Sequence, residues 1–231
     1  MPKLTRGKKS ASPAIKQRRY RRRQMATIRR MDIPPTERAS PPVVFTHASI
    51  PKAITSVAMY STTQSNTSRR NELGGRHVYI QDVILKRSQR TKFLKSLSSL
   101  VCAAMGLPAG TTIHWEDLVF PDGTQKMDVW LFRYEGVSRW HCDVAPNVPC
   151  NQRTWSISVA LESTESHFEI TNGSEYRENM PIWKFVDPVV VFQTHLLHRG
   201  CVADGGRRFV LVGAFHLSPA EQASAMRNKM L

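Results

Sequence analysis

From Thr111 onward the chain is written in short apolar segments separated by turn residues, and that rhythm leaves few folds open. Residues 127–133, 155–161, 167–170, 189–192 and 208–215 concentrate β-branched and aromatic side chains. Strands this short and closely spaced bury their apolar faces only when two sheets pack together or one sheet closes. The expectation is therefore a mainly β fold, a sandwich or barrel, of which the jelly roll is one form. No internal repeat is visible.

Helices flank this region. Ser88 is a reasonable N-cap. Phe93, Leu97, Leu100, Val101 and Ala104 fall on one face, Lys92 and Lys95 lie away from it, and Gly106 followed by Pro108 stops the run. The tail begins Ser218-Pro219-Ala220-Glu221, a capping box with proline at the first helical position. Upstream, residues 43–45 and 54–60 are expected as short strands and 61–75 as a polar loop. The organisation expected is a basic arm over 1–42, N-terminal strands with a supporting helix over 43–110, a β core over 111–218 and a C-terminal helix over 219–231.

Net charge is concentrated at one end. Residues 1–31 hold twelve Lys or Arg and no acid, whereas the other 200 residues carry 21 basic and 18 acidic side chains. The pI near 10.2 thus describes an arm. Such an arm has nothing to bury and is expected to be disordered. Lys8-Lys9, a spacer and a cluster containing Arg21-Arg22-Arg23 fit a bipartite nuclear-import pattern. The same charges would neutralise phosphates on DNA or RNA. An acid-free mitochondrial presequence is the alternative, although apolar residues before Met25 are few for an amphipathic helix. Cys102, Cys142, Cys150 and Cys201 form no CxxC pair and follow no secretory pattern, which points to free thiols in a reducing compartment. No apolar run approaches the roughly 18 residues that span a membrane, so a soluble chain is expected.

The segment with most chemistry is Arg139-Trp140-His141-Cys142-Asp143. On a strand, His141 and Asp143 share a face while Cys142 points away. An imidazole and a carboxylate are two thirds of the two-His-one-carboxylate triad that holds Fe(II) with open positions. Taken alone the pair is common in unrelated chains. Downstream, the apolar run Val189-Val190-Val191-Phe192 is followed by His198-Arg199-Gly200. Ten residues past His198 stands Arg208, before Phe209 and another apolar strand.

The order HxD, about 57 residues, His, ten residues, Arg before an aromatic resembles the Fe(II)/2-oxoglutarate-dependent dioxygenase superfamily over residues 127–216. The resemblance implies a double-stranded β-helix core. It implies that His141, Asp143 and His198 ligate iron, that Arg208 pairs with the distal carboxylate of 2-oxoglutarate, and that O₂ is the oxidant. Arg207 competes with Arg208, and His195 with His198; position before the aromatic and the His-x-Gly context favour Arg208 and His198. His114, His167 and His216 stand apart and are expected in packing or surface roles. Ser156 and Ser158, sharing a face of the next strand, could donate to the cosubstrate. Tyr134 and Trp140 are candidates for the pocket wall or the core.

Some family features are altered. The tyrosine of prolyl hydroxylases has Ala160 near its place. No Gly-Gly opens the fourth core strand, and the second arginine of AlkB-type repair enzymes is absent. The expected activity is hydroxylation of a C–H bond on a nucleic-acid base or on a protein bound to nucleic acid. A non-enzymatic reading, a jelly-roll viral capsid protein with an RNA-binding arm, explains the arm and the strands but not the spaced ligands.

Overall fold

The computed structural model describes residues 42–61, 69–70, 76–120, 122–135, 137–143, 155–163, 166–172, 180–202 and 206–230. Contacts divide the chain into Met1–Ala39 and Ser40–Leu231. The arm expected over 1–42 lies almost wholly outside the described residues, as do most of the polar loop at 61–75 and Cys150.

Four strands form the centre of the larger sheet: β7 (Val129–Glu135), β8 (Trp155–Ser163), β11 (Val189–Gln193) and β13 (Arg207–His216), in the order β11-β8-β13-β7. β1 (Val44–His47) extends it beyond β11. β3 (Arg76–Tyr79) and β2 (Arg69–Arg70) extend it beyond β7, and β4 (His114–Trp115) pairs with β13. A smaller sheet has the order β10-β9-β12, from β9 (Ser166–Thr171), β10 (Trp183–Phe185) and β12 (Leu197–Val202). At its free edge His141 bridges to His198. β5 (Asp117–Val119) and β6 (Gln125–Met127) make a separate hairpin.

Followed along the chain, the core path alternates between sheets. β7 lies in the larger, the His141 segment in the smaller, β8 in the larger, β9 and β10 in the smaller, β11 in the larger, β12 in the smaller and β13 in the larger. All these pairings are antiparallel. This winding is the double-stranded β-helix, the jelly-roll form of the architecture expected from the strand rhythm.

Both faces of the larger sheet are buried, which is why its strands are apolar almost continuously. Leu131, Trp155, Ile157, Val159, Val191 and Leu211 point outward and pack on helices. Those helices are α1 (Lys52–Ser61), α3 (Arg87–Met105) and α4 (Pro219–Met230). Leu97 of α3 and Trp155 are fully buried, and each such side chain contributes roughly 1.5–3 kcal/mol. The inward residues form two separate apolar clusters, one around Phe168, Phe192 and Val190, the other around Phe132, Val202 and Val210. At Gly213 of β13 the Trp115 ring lies where a Cβ would stand, 2.8 Å away.

α3 carries the expected stripe, with Phe93, Leu97, Leu100 and Val101 buried. It ends at Gly106 in the left-handed conformation, φ 65°, with Leu107 N–H donating back to the Cys102 carbonyl. Its start differs from expectation. Lys86 is the N-cap and offers no side-chain hydrogen bond, while Ser88 lies inside the helix. Packing of the stripe, rather than a cap, supplies most of such a helix's stability. Residues 54–60, expected as a strand, belong to α1. Ile54 and Val57, three apart, both bury against the core, and that spacing is helical despite the β-branched composition. A single turn, α2 (Ile80–Val83), leads into α3. At α4 the capping box forms as expected, Ser218 N–H donating to Glu221 Oε2 at 2.8 Å and Glu221 N–H to Ser218 Oγ at 3.4 Å.

Candidate metal centre

The inner face of the smaller sheet brings His141, Asp143 and His198 together. His141 and His198 exchange backbone hydrogen bonds, N to O at 3.0 and 2.9 Å, so their side chains leave the same face. Asp143, two residues on, is anchored by its N–H donating to the Thr194 carbonyl at 3.2 Å. The ring centroids of the two histidines are 4.3 Å apart. His198 Nε2 lies 3.4 Å and His141 Nε2 3.9 Å from Asp143 Oδ1. Ligand atoms this far apart can share one ion at distances of about 2–2.3 Å.

Each imidazole is oriented in the same way. His141 Nδ1 faces the Arg139 carbonyl at 2.7 Å and His198 Nδ1 the Leu196 carbonyl at 2.9 Å, in both cases two residues back. A proton on Nδ1 donated to that carbonyl leaves the Nε2 lone pair aimed at the shared centre. His198 is further fixed by Phe192, 4.6 Å away, and by Phe168, stacked at 5.3 Å. Protonation states suit a cation. Burial, with His198 close by, lowers the His141 pKa and favours the neutral ring. Burial would raise the Asp143 pKa, but His198, His141 and the Ser156 hydroxyl hold it well below the usual carboxylate range. Two imidazoles and one carboxylate are the donor set of a non-haem Fe(II) site.

Cys142 points away as the alternation demands. Its thiol donates to the His195 carbonyl at 3.3 Å, and burial pushes its pKa up to about 11. It stays a neutral thiol outside the cluster. His195 itself is exposed in the turn before β12.

Arg208 lies inside the barrel, 3% exposed, on the face of β13 shared with Val210 and Val212. Its Nη1 donates to the His167 carbonyl at 3.0 Å and its guanidinium lies over Phe168 at 5.6 Å. Its Nε has no hydrogen-bond partner, and among the described residues no carboxylate pairs with it. A buried, unpaired guanidinium is costly and matches a ligand carboxylate in shape and charge. The side chain of Arg207 lies outside the described set.

Between the triad and β13 runs a cleft walled by Trp130, Phe132, Phe168, Phe192, Val210 and Val212, with Ser158 on its floor. Its cavity volume is about 30 Å³, room for a water or two. No motif marks these walls in the sequence, although alternation along β7 and β13 puts 130, 132, 210 and 212 on one side.

Two expected roles are corrected by the geometry. The Ser156 hydroxyl is engaged with Asp143 Oδ2 at 2.5 Å, so it supports a ligand rather than reaching for a cosubstrate; Ser158 keeps its place on the cleft. Trp140 lies on the outer face of the smaller sheet, over Arg199, because alternation from His141 turns it outward. The side chain of Tyr134 lies outside the described set. His114 and His216 are not isolated but stack on each other at 4.9 Å, far along β13 from Arg208.

No protein-family model matches the sequence, and no curated protein does. Solved structures do resemble the fold. The non-heme alpha-ketoglutarate-dependent carbocyclase SnoK from nogalamycin biosynthesis has a TM-score of 0.51 at 11% identity, over 76% of this chain and 80% of that one. The epimerase SnoN from the same biosynthesis, also alpha-ketoglutarate dependent, has 0.50 at 12%, over 76% and 78%. A Pseudomonas putida prolyl-4-hydroxylase has 0.48 at 13%, over 76% and 91%. With its alternating two-sheet winding, the chain has a double-stranded β-helix fold, similar to those of the carbocyclase SnoK and the epimerase SnoN.

Proposed function

We propose that this protein is an Fe(II)- and 2-oxoglutarate-dependent dioxygenase that hydroxylates a C–H bond. The observation that carries the reading is the convergence of His141 Nε2, His198 Nε2 and an Asp143 carboxylate oxygen on one point inside this fold. Three protein ligands would leave positions on a bound Fe(II) for a 2-oxo acid and O₂. When bound, the iron would couple oxidative decarboxylation of 2-oxoglutarate, giving succinate and CO₂, to insertion of one oxygen atom into a substrate C–H bond. His141 and His198, oriented through their Nδ1 anchors, and Asp143, held by Ser156 at its second oxygen, would hold the metal. Arg208 would receive the distal carboxylate, and Ser158, which lines the cleft, would donate to the same ligand. Phe168 and Phe192 exclude water from the back of His198. A capsid-type jelly roll has no use for three converging ligand atoms.

For the substrate, we propose a nucleic-acid base or a protein bound to nucleic acid. The support is the acid-free arm, twelve cations within residues 1–31, suited to neutralising phosphates and to nuclear import. The activity is tested by anaerobic binding of Fe(II) and 2-oxoglutarate, then by succinate release against candidate substrates after O₂ is admitted. Absence of iron-dependent 2-oxoglutarate binding refutes it. The arm is tested separately by deleting residues 1–31. Binding to DNA and RNA should weaken with little sequence dependence. The slope of log affinity against log salt should flatten by about 0.7–0.9 for each phosphate that the shortened chain no longer neutralises. An unchanged slope turns the search to proteins and small molecules.

A further inference from the structure

The outer face of the smaller sheet carries a row of side chains directly behind the two histidines. Because His141 bridges His198, their neighbours Trp140 and Arg199 face each other on the opposite side of the sheet. Arg199 is in register with Glu169 of β9, and Glu169 with Lys184 of β10. The contacts run without a gap along this line. The Arg199 guanidinium lies 4.6 Å from the Trp140 ring centre. Its Nε donates to Glu169 Oε2 at 2.7 Å, and Lys184 Nζ is 3.5 Å from Glu169 Oε1. His167 Nε2 adds a contact to Oε1 at 3.0 Å. One row therefore crosses all three strands of the sheet and reaches the His141 segment bridged at its edge.

Glu169 is the unusual member. Its side chain is 5% exposed, against 64% for Lys184. Burying an ion pair of this kind seldom adds stability over a well-packed apolar set; its best-attested use is to specify register. Register is what the His141 segment needs. It joins the sheet at one bridged pair, helped by Ser138 N–H to the Gly200 carbonyl at 2.9 Å and Gly200 N–H to Ser138 Oγ at 2.8 Å. A one-residue slip would turn His141 and Asp143 away from the centre. Trp140 faces a guanidinium only in the native register, where Glu169 holds that guanidinium still.

We propose that Trp140, Arg199 and Glu169 are positioning residues that fix the two histidine ligands from behind. This rests on the metal-site reading given above. The probe is Co(II), whose absorption bands report ligand geometry, titrated into the full chain. Trp140→Ala should weaken Co(II) binding by about 10- to 100-fold and shift the bands. Trp140→Phe, which keeps an aromatic face over Arg199, should restore most of both. Glu169→Gln keeps the side-chain size and should move affinity and bands the same way by less; it decides the matter if Trp140→Ala does not fold. Folded variants with lower Tm but unchanged affinity and bands would overturn the positioning role alone. If the unmutated chain binds no Co(II), or if His198→Ala binds it equally well, the metal reading falls and the row's role with it.

Discussion

The two sheets of the barrel are held together in different ways. The larger is mostly apolar on both faces, with Ser156, Ser158 and Arg208 the polar members inside, and its outer side is covered by α1, α3 and α4 in one continuous core. The smaller is apolar only inside; its outer side is a chain of ion pairs and a cation–π contact. The larger sheet supplies stability and a rigid floor. The smaller supplies all three candidate ligands, on backbone fixed by a few specific polar contacts rather than by bulk burial. Damage to the first should therefore appear as lost folding, and damage to the second as lost metal.

The sharpest separation comes from the ligands. His141→Ala, Asp143→Ala and His198→Ala should each abolish Fe(II)-dependent succinate formation while circular dichroism shows the fold retained. Full turnover by His198→Ala would break the assignment of chemistry to the smaller sheet. On the other side, Leu97→Ala opens a cavity under the larger sheet and should cost about 2–5 kcal/mol in denaturant unfolding. Metal affinity of the folded protein should stay within about twofold, because the two sites share no partner; a large drop would mean that the two sheets are energetically one unit.

Arg208 sharpens the comparison because it belongs to the larger sheet and reaches the smaller through the His167 carbonyl. Arg208→Ala removes a charge-assisted interaction of about 1.5–3 kcal/mol, so 2-oxoglutarate affinity should fall about 10- to 150-fold. Arg207→Ala should change it little; if calorimetry finds the two effects swapped, the residue serving the cosubstrate is Arg207.

The smallest effect is expected from acid. Burial raises the Glu169 pKa, but hydrogen bonds from His167 and Arg199 outweigh it and hold the group below its ordinary 4.5. A carboxyl whose pKa is lowered on folding contributes stability above its unfolded value and loses it as pH falls through the folded one. Glu169→Gln should therefore be destabilising at pH 7, with the gap to the parent closing below about pH 4.5. A gap that widens on acidification would show that Glu169 is held protonated.

The legible parts of the molecule were those written in residue type and local spacing. The HxD pair and His198 stand out because few roles need those side chains two apart on a strand and again after an apolar run. The five core strands and α3 were visible from composition and period. α1 is hidden in the sequence because Ile54, Thr55 and Val57 have strand-like chemistry, and only packing reveals that Ile54 and Val57 share a helical face. β2, β4, β5 and β6 are two or three residues long, too short to show any period. Trp140 could have been placed by counting back one residue from His141. The Arg199–Glu169 pairing could not, since it joins residues thirty positions apart through a strand register that no local pattern encodes.

The His141 segment pairs with β12 through a single β-bridge, supplemented by a few hydrogen bonds at Ser138 and Asp143, and that thinness gives a bound ion a second use. Coordination by His141, Asp143 and His198 would tie together points 57 residues apart in the chain, acting as a reversible cross-link where the backbone offers little. Occupancy would then be written into the lifetime of the protein. A metal-starved chain would exchange its amide protons fastest around 138–143 and would be cut there first by proteases. The loaded chain would gain stability with the logarithm of free metal over its dissociation constant.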